Sequence, residues 1–206
     1  MPALLDTGSR VDVLTAAINH VLITDGPAGL TLRRIAKVSG VSPASMLQHL
    51  GSREHLIRVA AARTARNRRD DIESRACSEG ALAFLPATSE HVLSARAWLG
   101  WLEIWRCEET LERWITQGRA EERALMARLL DYQLVTDDLD AAVALVDGLT
   151  VAVCAPCRPM RVDRARQMLT RQLRLLGCEV RPYEGDLTRP AALGHVTHRE
   201  RAVSSW

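Results

Sequence analysis

Residues 31–50, TLRRIAKVSGVSPASMLQHL, crowd cations and hydroxyls around a tight turn at Ser39-Gly40-Val41. A helix, a turn and a second helix inside one such short stretch is helix-turn-helix spacing. Ala36 is small where the two helices would cross, Gly40 permits the sharp turn, and Val41, Met46 and Leu50 fill a miniature core. Ser42 presents a helix N-terminus to a phosphate. A second group is Trp98, Trp101 and Trp105, spaced i, i+3 and i+7 on one face of one helix, with Trp114 on the next helix. Two readings are open for it. One is the wall of a ligand pocket, a cage for a cation with Glu103, Glu108 or Asp147 as counter-charge. The other is core packing, the commoner use of tryptophan at helical spacing. A third group is Cys154-Ala155-Pro156-Cys157, a C-x-x-C with an intervening proline. It ends a helix instead of following a strand and opening one, which leaves inert thiols or a thiol-based redox sensor. Cys107, Cys178, His195 and His198 are scattered and complete no set of zinc ligands, so no metal is expected.

Other chemistries lack their signatures. There is no nucleophile elbow, phosphate-binding glycine loop or H-E-x-x-H, so neither an enzyme nor a cofactor is expected.

The elements that must position these residues are helices. Ala, Leu and Arg abound while the chain has one Phe and two Tyr, which favours an all-α fold. Val11, Leu14, Ile18, Val21 and Leu22 recur at helical spacing until Asp25-Gly26-Pro27 stops the first helix. Thr31 and Ser42 are N-caps for the next two, and Pro43 sits at a first helical position, where its missing N–H costs nothing. After Gly51-Ser52 a long connecting helix starts near Arg53. Gly80 and Pro86 interrupt residues 77–89, which read as a domain hinge with room for one turn of helix. Periodicity resumes with Val92, Ala95, Leu99 and Leu102, and with Leu111, Ile115, Leu125, Leu129 and Leu130. Two final helices carry apolar positions Leu139, Val143, Val146, Leu149 and Val153, then Ala165, Leu169 and Leu173. Such faces suit either a four-helix interface with a second copy or the chain's own core. The expected organisation is a helix-turn-helix domain over 1–52, a helical bundle over 53–180 and a flexible tail over 181–206.

Charge is uneven. Residues 1–75 hold 11 Lys and Arg against 7 Asp and Glu, whereas 76–206 hold 16 against 18. A basic N-terminal module on a slightly acidic body suits phosphate contact at one end. The most apolar stretch, 141–155, contains Asp147 and Gly148 and is shorter than the roughly 20 residues a bilayer needs, so no membrane partner is expected. Leu4-Leu5 is followed at once by Asp6, unlike a secretory signal, and the five cysteines read as reduced thiols of a cytoplasmic protein.

Ile35-Ala36, Ser39-Gly40-Val41-Ser42, Ser45-Met46-Leu47 and Leu50-Gly51-Ser52-Arg53-Glu54 closely resemble the signature of TetR-family transcriptional regulators over roughly the first 60 residues. Leu47 departs from it, standing where that family usually has a tyrosine. The body, through ARAWLGWLEIWR, ERALMARLL and LVDGLTVAV, resembles the BetI-like branch, whose best-known members respond to choline. The resemblance implies a homodimeric repressor released from a palindromic double-stranded DNA operator by a small-molecule effector. It implies base contacts by Pro43, Ala44, Ser45, Gln48 and His49, and phosphate contacts by Thr31, Arg33, Arg34, Lys37, Ser42 and Arg53. Gln48 would pair with adenine and Ala44 would touch a thymine methyl. The competing reading is a helical oligomerisation protein that binds no DNA.

Overall fold

The structure, a computed structural model, describes residues 7–106, 111–185 and 187, and every regular element among them is helical. Helix α1 (Thr7–Asp25) stops where Gly26 takes a positive φ and Pro27 opens a short 3₁₀ turn. α2 (Leu32–Ser39) and α3 (Pro43–Leu50) follow, then α4 (Arg53–Glu79). A 3₁₀ turn (Gly80–Phe84) leads to α5 (Ser89–Trp105), α6 (Glu112–Leu129), α7 (Thr136–Cys154) and α8 (Val162–Leu175).

Two apolar cores organise these helices, and α4 runs through both. Its 27 residues span about 40 Å at 1.5 Å per residue. The first core joins Leu14, Ile18 and Val21 of α1 to Ile35, Met46, Leu56 and Ile57, but it also takes in Trp98, Trp101 and Ile104 of α5 and Ile115 of α6. The N-terminal helices therefore do not close on themselves, and the expected boundary at 52/53 lies inside one packed unit. The second core gathers Ile72 and Ala76 of α4 with Phe84, Leu85, Met126, Leu149 and Leu169.

Three expectations are corrected here. The segment 77–89 is not a hinge: α4 continues to Glu79, and Ala81, Ala83, Phe84 and Leu85 are buried. Buried carbonyls need donors, and Arg75 supplies them, its guanidinium donating to the Leu85 carbonyl at 3.1 Å and to that of Ala83.

The start of the expected tail is also held. The Tyr183 N–H donates to the Ala76 carbonyl at 3.1 Å, Arg181 pairs with Asp131, and Leu187 is buried in the second core. Gly80 has a left-handed φ of 55°, and a Cβ there would lie 2.0 Å from the Arg181 carbonyl oxygen, so only glycine lets this segment cross α4. The rest of that expected tail lies outside the described residues.

Finally, Leu139, Val146, Leu149, Val153, Ala165, Leu169 and Leu173 are buried within the chain, and Val143 packs half-buried against them. α7 and α8 turn their most apolar stripes onto each other, onto α5 and α6, and onto the 3₁₀ turn, so these residues close the second core and are not free for a partner. What the two helices present outward is mixed: Ala141, Ala144, Gly148 and Val151 on α7, and Arg164, Gln167, Arg171, Arg174 and Leu175 on α8, beside half-buried Leu145 and Met168. No helix among the described residues is long and apolar enough to cross a membrane.

Candidate nucleic-acid interface

Three hydroxyl caps fix the geometry of the reading head. Thr31 Oγ1 accepts from the Arg34 N–H at 3.2 Å, Ser42 Oγ from the Ser45 N–H at 3.2 Å, and Ser52 Oγ from the His55 N–H at 3.1 Å. Each hydroxyl satisfies one orphan donor of its helix and keeps its own proton to give to an acceptor such as a phosphate oxygen. The turn between α2 and α3 places Gly40 at φ 71°, and Ser39 Oγ accepts from the Val41 N–H at 3.1 Å. That left-handed residue is where a side chain would be strained.

α3 is anchored by buried Met46 and by Leu50, which packs half-buried against the first core. Pro43, Ala44, Gln48 and His49 are exposed and Ser45 is half-exposed, so all five expected base-reading residues lie on the solvent side of the helix. Gln48 makes no hydrogen bond among the described residues, leaving both ends of its amide available. Leu47 is exposed beside it at 37%. Thr31, Arg33, Lys37 and Ser42 are exposed along the same end of the molecule, and half-buried Arg53 reaches the Leu30 carbonyl at 3.5 Å.

Arg34 of the expected phosphate-binding set is ion-paired within the chain. Its guanidinium grips Asp25 at two points, Nη2 to Oδ1 at 3.1 Å and Nε to Oδ2, and this bond from Arg34 holds the Asp25 carboxyl below its ordinary range. An arginine paired at home offers a phosphate little net charge. The sequence carried the signal, an aspartate at the end of the first helix, but not the geometry that brings it to Arg34. Arg10 is a second contact invisible to periodicity: from α1 it meets His49 Nε2 at the end of α3.

The tryptophan group resolves toward packing. Trp101 is fully buried and its Nε1–H donates to Asn19 Oδ1 at 2.8 Å, while Thr64 Oγ1 donates to the same oxygen at 3.1 Å. One half-buried asparagine thus ties α1, α4 and α5 together. Trp98 is buried, and a cation does lie over its ring, but it is Arg68 of the same chain, 5.6 Å from the ring centroid. Arg68 Nε in turn donates to Glu122 Oε1 at 2.7 Å. Trp105 packs half-buried against the first core, and only Trp114 is exposed, at 42%. Of the expected counter-charges, Asp147 is clamped by both terminal nitrogens of Arg119, one at 2.8 Å, and Glu103 pairs with Arg106 at 3.1 Å. Glu108 lies outside the described residues. Of the two readings, packing therefore holds for Trp98, Trp101 and Trp105, and Asp147 and Glu103 are paired within the chain, while Trp114 stays exposed.

Cys154 is buried and Cys157 exposed, and both are free thiols. Burial pushes the Cys154 thiol up, away from the thiolate that redox chemistry requires, and its Sγ lies 3.8 Å from the Val92 carbonyl. Cys178 is buried with its thiol likewise raised, while Cys107, His195 and His198 lie outside the described residues. Among the described residues no group of three or more His, Cys, Asp or Glu is placed to hold a metal ion.

An α2–turn–α3 head with an exposed second helix is carried on a long α4 and backed by four more helices. Comparison with solved structures gives the fold: it is that of TetR-family transcriptional regulators. A TetR-family regulator from Rhodococcus sp. superposes with a TM-score of 0.70 at 19% identity, over 81% of this chain and 98% of that one. A transcriptional regulator from Rhodococcus sp. Rha1 gives 0.71 at 17%, over 84% and 99%. The multidrug binding protein EbrR, complexed with imidazole, gives 0.51 at 21%, over 79% and 94%. No protein-family model matches the chain, and no curated protein matches its sequence.

Proposed function

We propose that this chain is a DNA-binding transcriptional regulator of the TetR type, a repressor that a small molecule releases from a palindromic operator. The observation that carries the proposal is α3: a capped helix held by buried Met46 and half-buried Leu50, with Pro43, Ala44, Gln48 and His49 exposed and Ser45 half-exposed. A helix so held can enter a major groove without disturbing a core. Arg33, Lys37, Ser42, Thr31 and Arg53 flank it as phosphate contacts, with Arg34 acting through Asp25 as a brace.

A palindrome requires two heads, and so a homodimer. The outward face of α7 and α8 is the surface proposed for it, in place of the stripe of larger apolar residues now in the core. Gly148 has nothing within 4 Å of where a Cβ would stand, and Val151 and Leu175 are 53% and 71% exposed. The small residues of α7 leave room for a second helix to approach, and exposed Arg164, Gln167 and Arg171 of α8 would rim the contact.

Selection of binding sites from a random duplex library tests the reading. The expected product is an inverted repeat with half-sites about one duplex turn apart, roughly 34 Å. Enrichment of no common sequence would overturn the proposal in favour of a helical protein that does not read DNA.

A further inference from the structure

The first half of α4 carries more arginine than the protein itself neutralises. Arg68 is paired with Glu122, and Arg69 with Glu73 and Glu121. Arg63 gives its Nη2 to Asp12 at 2.7 Å, yet its Nε is buried with no acceptor. Arg66 makes no ion pair or hydrogen bond among the described residues. Arg58 meets His55 Nδ1 at 3.5 Å and makes no ion pair among the described residues.

Arg58, Arg63 and Arg66 line one open cleft of about 400 Å³ where α4 meets α1 and α6, a volume in the range of small-molecule sites. Val11, Val59 and Ala62 give the cleft an apolar floor, and the exposed indole of Trp114 forms a wall. The neighbouring cleft, on the other side of Trp114, holds Asp70, Glu73, Glu121 and Glu122 with Arg66 and Arg69, and its charges largely cancel. Unpaired Arg58 and Arg66 and the exposed indole of Trp114 therefore meet in the first cleft with no carboxylate in its lining, whereas the second sets the same Arg66 and Trp114 among four acids.

We infer that the α1–α4–α6 cleft binds a small aromatic carboxylate, its ring against Trp114 and the valines and its carboxylate toward Arg66, Arg58 and Arg63. A guanidinium suits a carboxylate by its planar fork of donors. The charge is opposite to that of a choline-like ligand. Duplex DNA would prefer an open polar track, whereas this floor is aliphatic. The cleft also adjoins the reading head: Val11 follows Arg10, which touches His49, and Arg58 lies on the helix that Ser52 caps. Binding itself is independent of the proposed DNA function; only its regulatory consequence rests on that reading.

Calorimetric titration of the full chain with 2-naphthoate, 2-naphthamide and 2-naphthylmethylammonium tests this. The carboxylate is expected to saturate one site per chain at least tenfold more tightly than the amide, and the ammonium to give no binding. R66Q should lower naphthoate affinity tenfold or more with an unchanged melting temperature, W114A should abolish naphthoate quenching of tryptophan fluorescence, and R161Q, far from the cleft, should change neither. Equal affinity for acid and amide, or unaltered naphthoate binding in R66Q, overturns the inference. So does displacement of naphthoate by random-sequence duplex with equal loss of both in R66Q, which would make the cleft a phosphate track. Failure to bind any selected operator with naphthoate binding intact would overturn the DNA reading and leave the cleft standing.

Discussion

α3 and α5 both place chemistry-bearing side chains at helical spacing, and the protein uses them in opposite ways. α3 buries Met46 and exposes its polar and small residues, whereas α5 buries Trp98, Trp101 and Ile104 in one core with residues of α1, α4 and α6. The difference is the number of neighbours. A helix touched on one side keeps a free face for a ligand; a helix surrounded by others turns its largest side chains into core, and whatever polar atoms those chains carry find partners inside. The Nε1–H of Trp101 on Asn19 and the ring of Trp98 under Arg68 are such partners.

Substitutions sharpen this contrast. The largest expected effect is in α5: W101A should cost about 3–5 kcal/mol of stability, as removal of a fully buried tryptophan does, read by urea denaturation. If W101A unfolds like the parent, Trp101 is not the keystone between head and body. Q48A on α3 should leave the denaturation curve within about 0.5 kcal/mol. It should weaken binding to the selected operator by about 1–3 kcal/mol and relax the preference at one base pair per half-site. Quantitative gel shifts with single-base variants would check that, and undiminished discrimination would remove Gln48 from the reading surface. T31A should cost about 1 kcal/mol through the lost N-cap of α2, measured by the same denaturation. Smallest of all should be the effect of oxidation on DNA binding. Mass spectrometry after brief iodoacetamide treatment at neutral pH should find Cys157 modified and Cys154 protected, because burial disfavours the Cys154 thiolate. Rapid modification of both, with loss of operator binding, would revive the redox reading.

The head was more legible in the sequence than the body, for a physical reason. Thr31, Gly40, Ser42, Pro43 and Ser52 act locally: caps and turns depend on neighbours a few residues away, and their structural roles follow from type and position. The tryptophan stripe and the apolar faces of α7 and α8 depend on what packs against them from elsewhere in the chain. Periodicity marked those stripes as buried and could not choose between the chain's own core and a partner; Leu139, Leu169 and Leu173 went to the core. Arg34 shows the same limit, since the Asp25 carboxylate that pairs with it belongs to a preceding helix. The stretch 77–89 misled through Gly80 and Pro86. Gly80 serves the close passage of residue 181, a contact across a hundred residues that no local pattern encodes.

The central claim, that α3 and its flanking cations read a duplex, is tested most directly by measuring affinity for the selected inverted repeat and for a scrambled duplex across a salt series. The account predicts log affinity falling linearly with log salt for both duplexes. It predicts a preference of at least a thousandfold for the repeat at physiological salt, and a slope shallower by about one in R33A. Equal affinity for the two duplexes, or a slope that R33A and K37A leave unchanged, would contradict it.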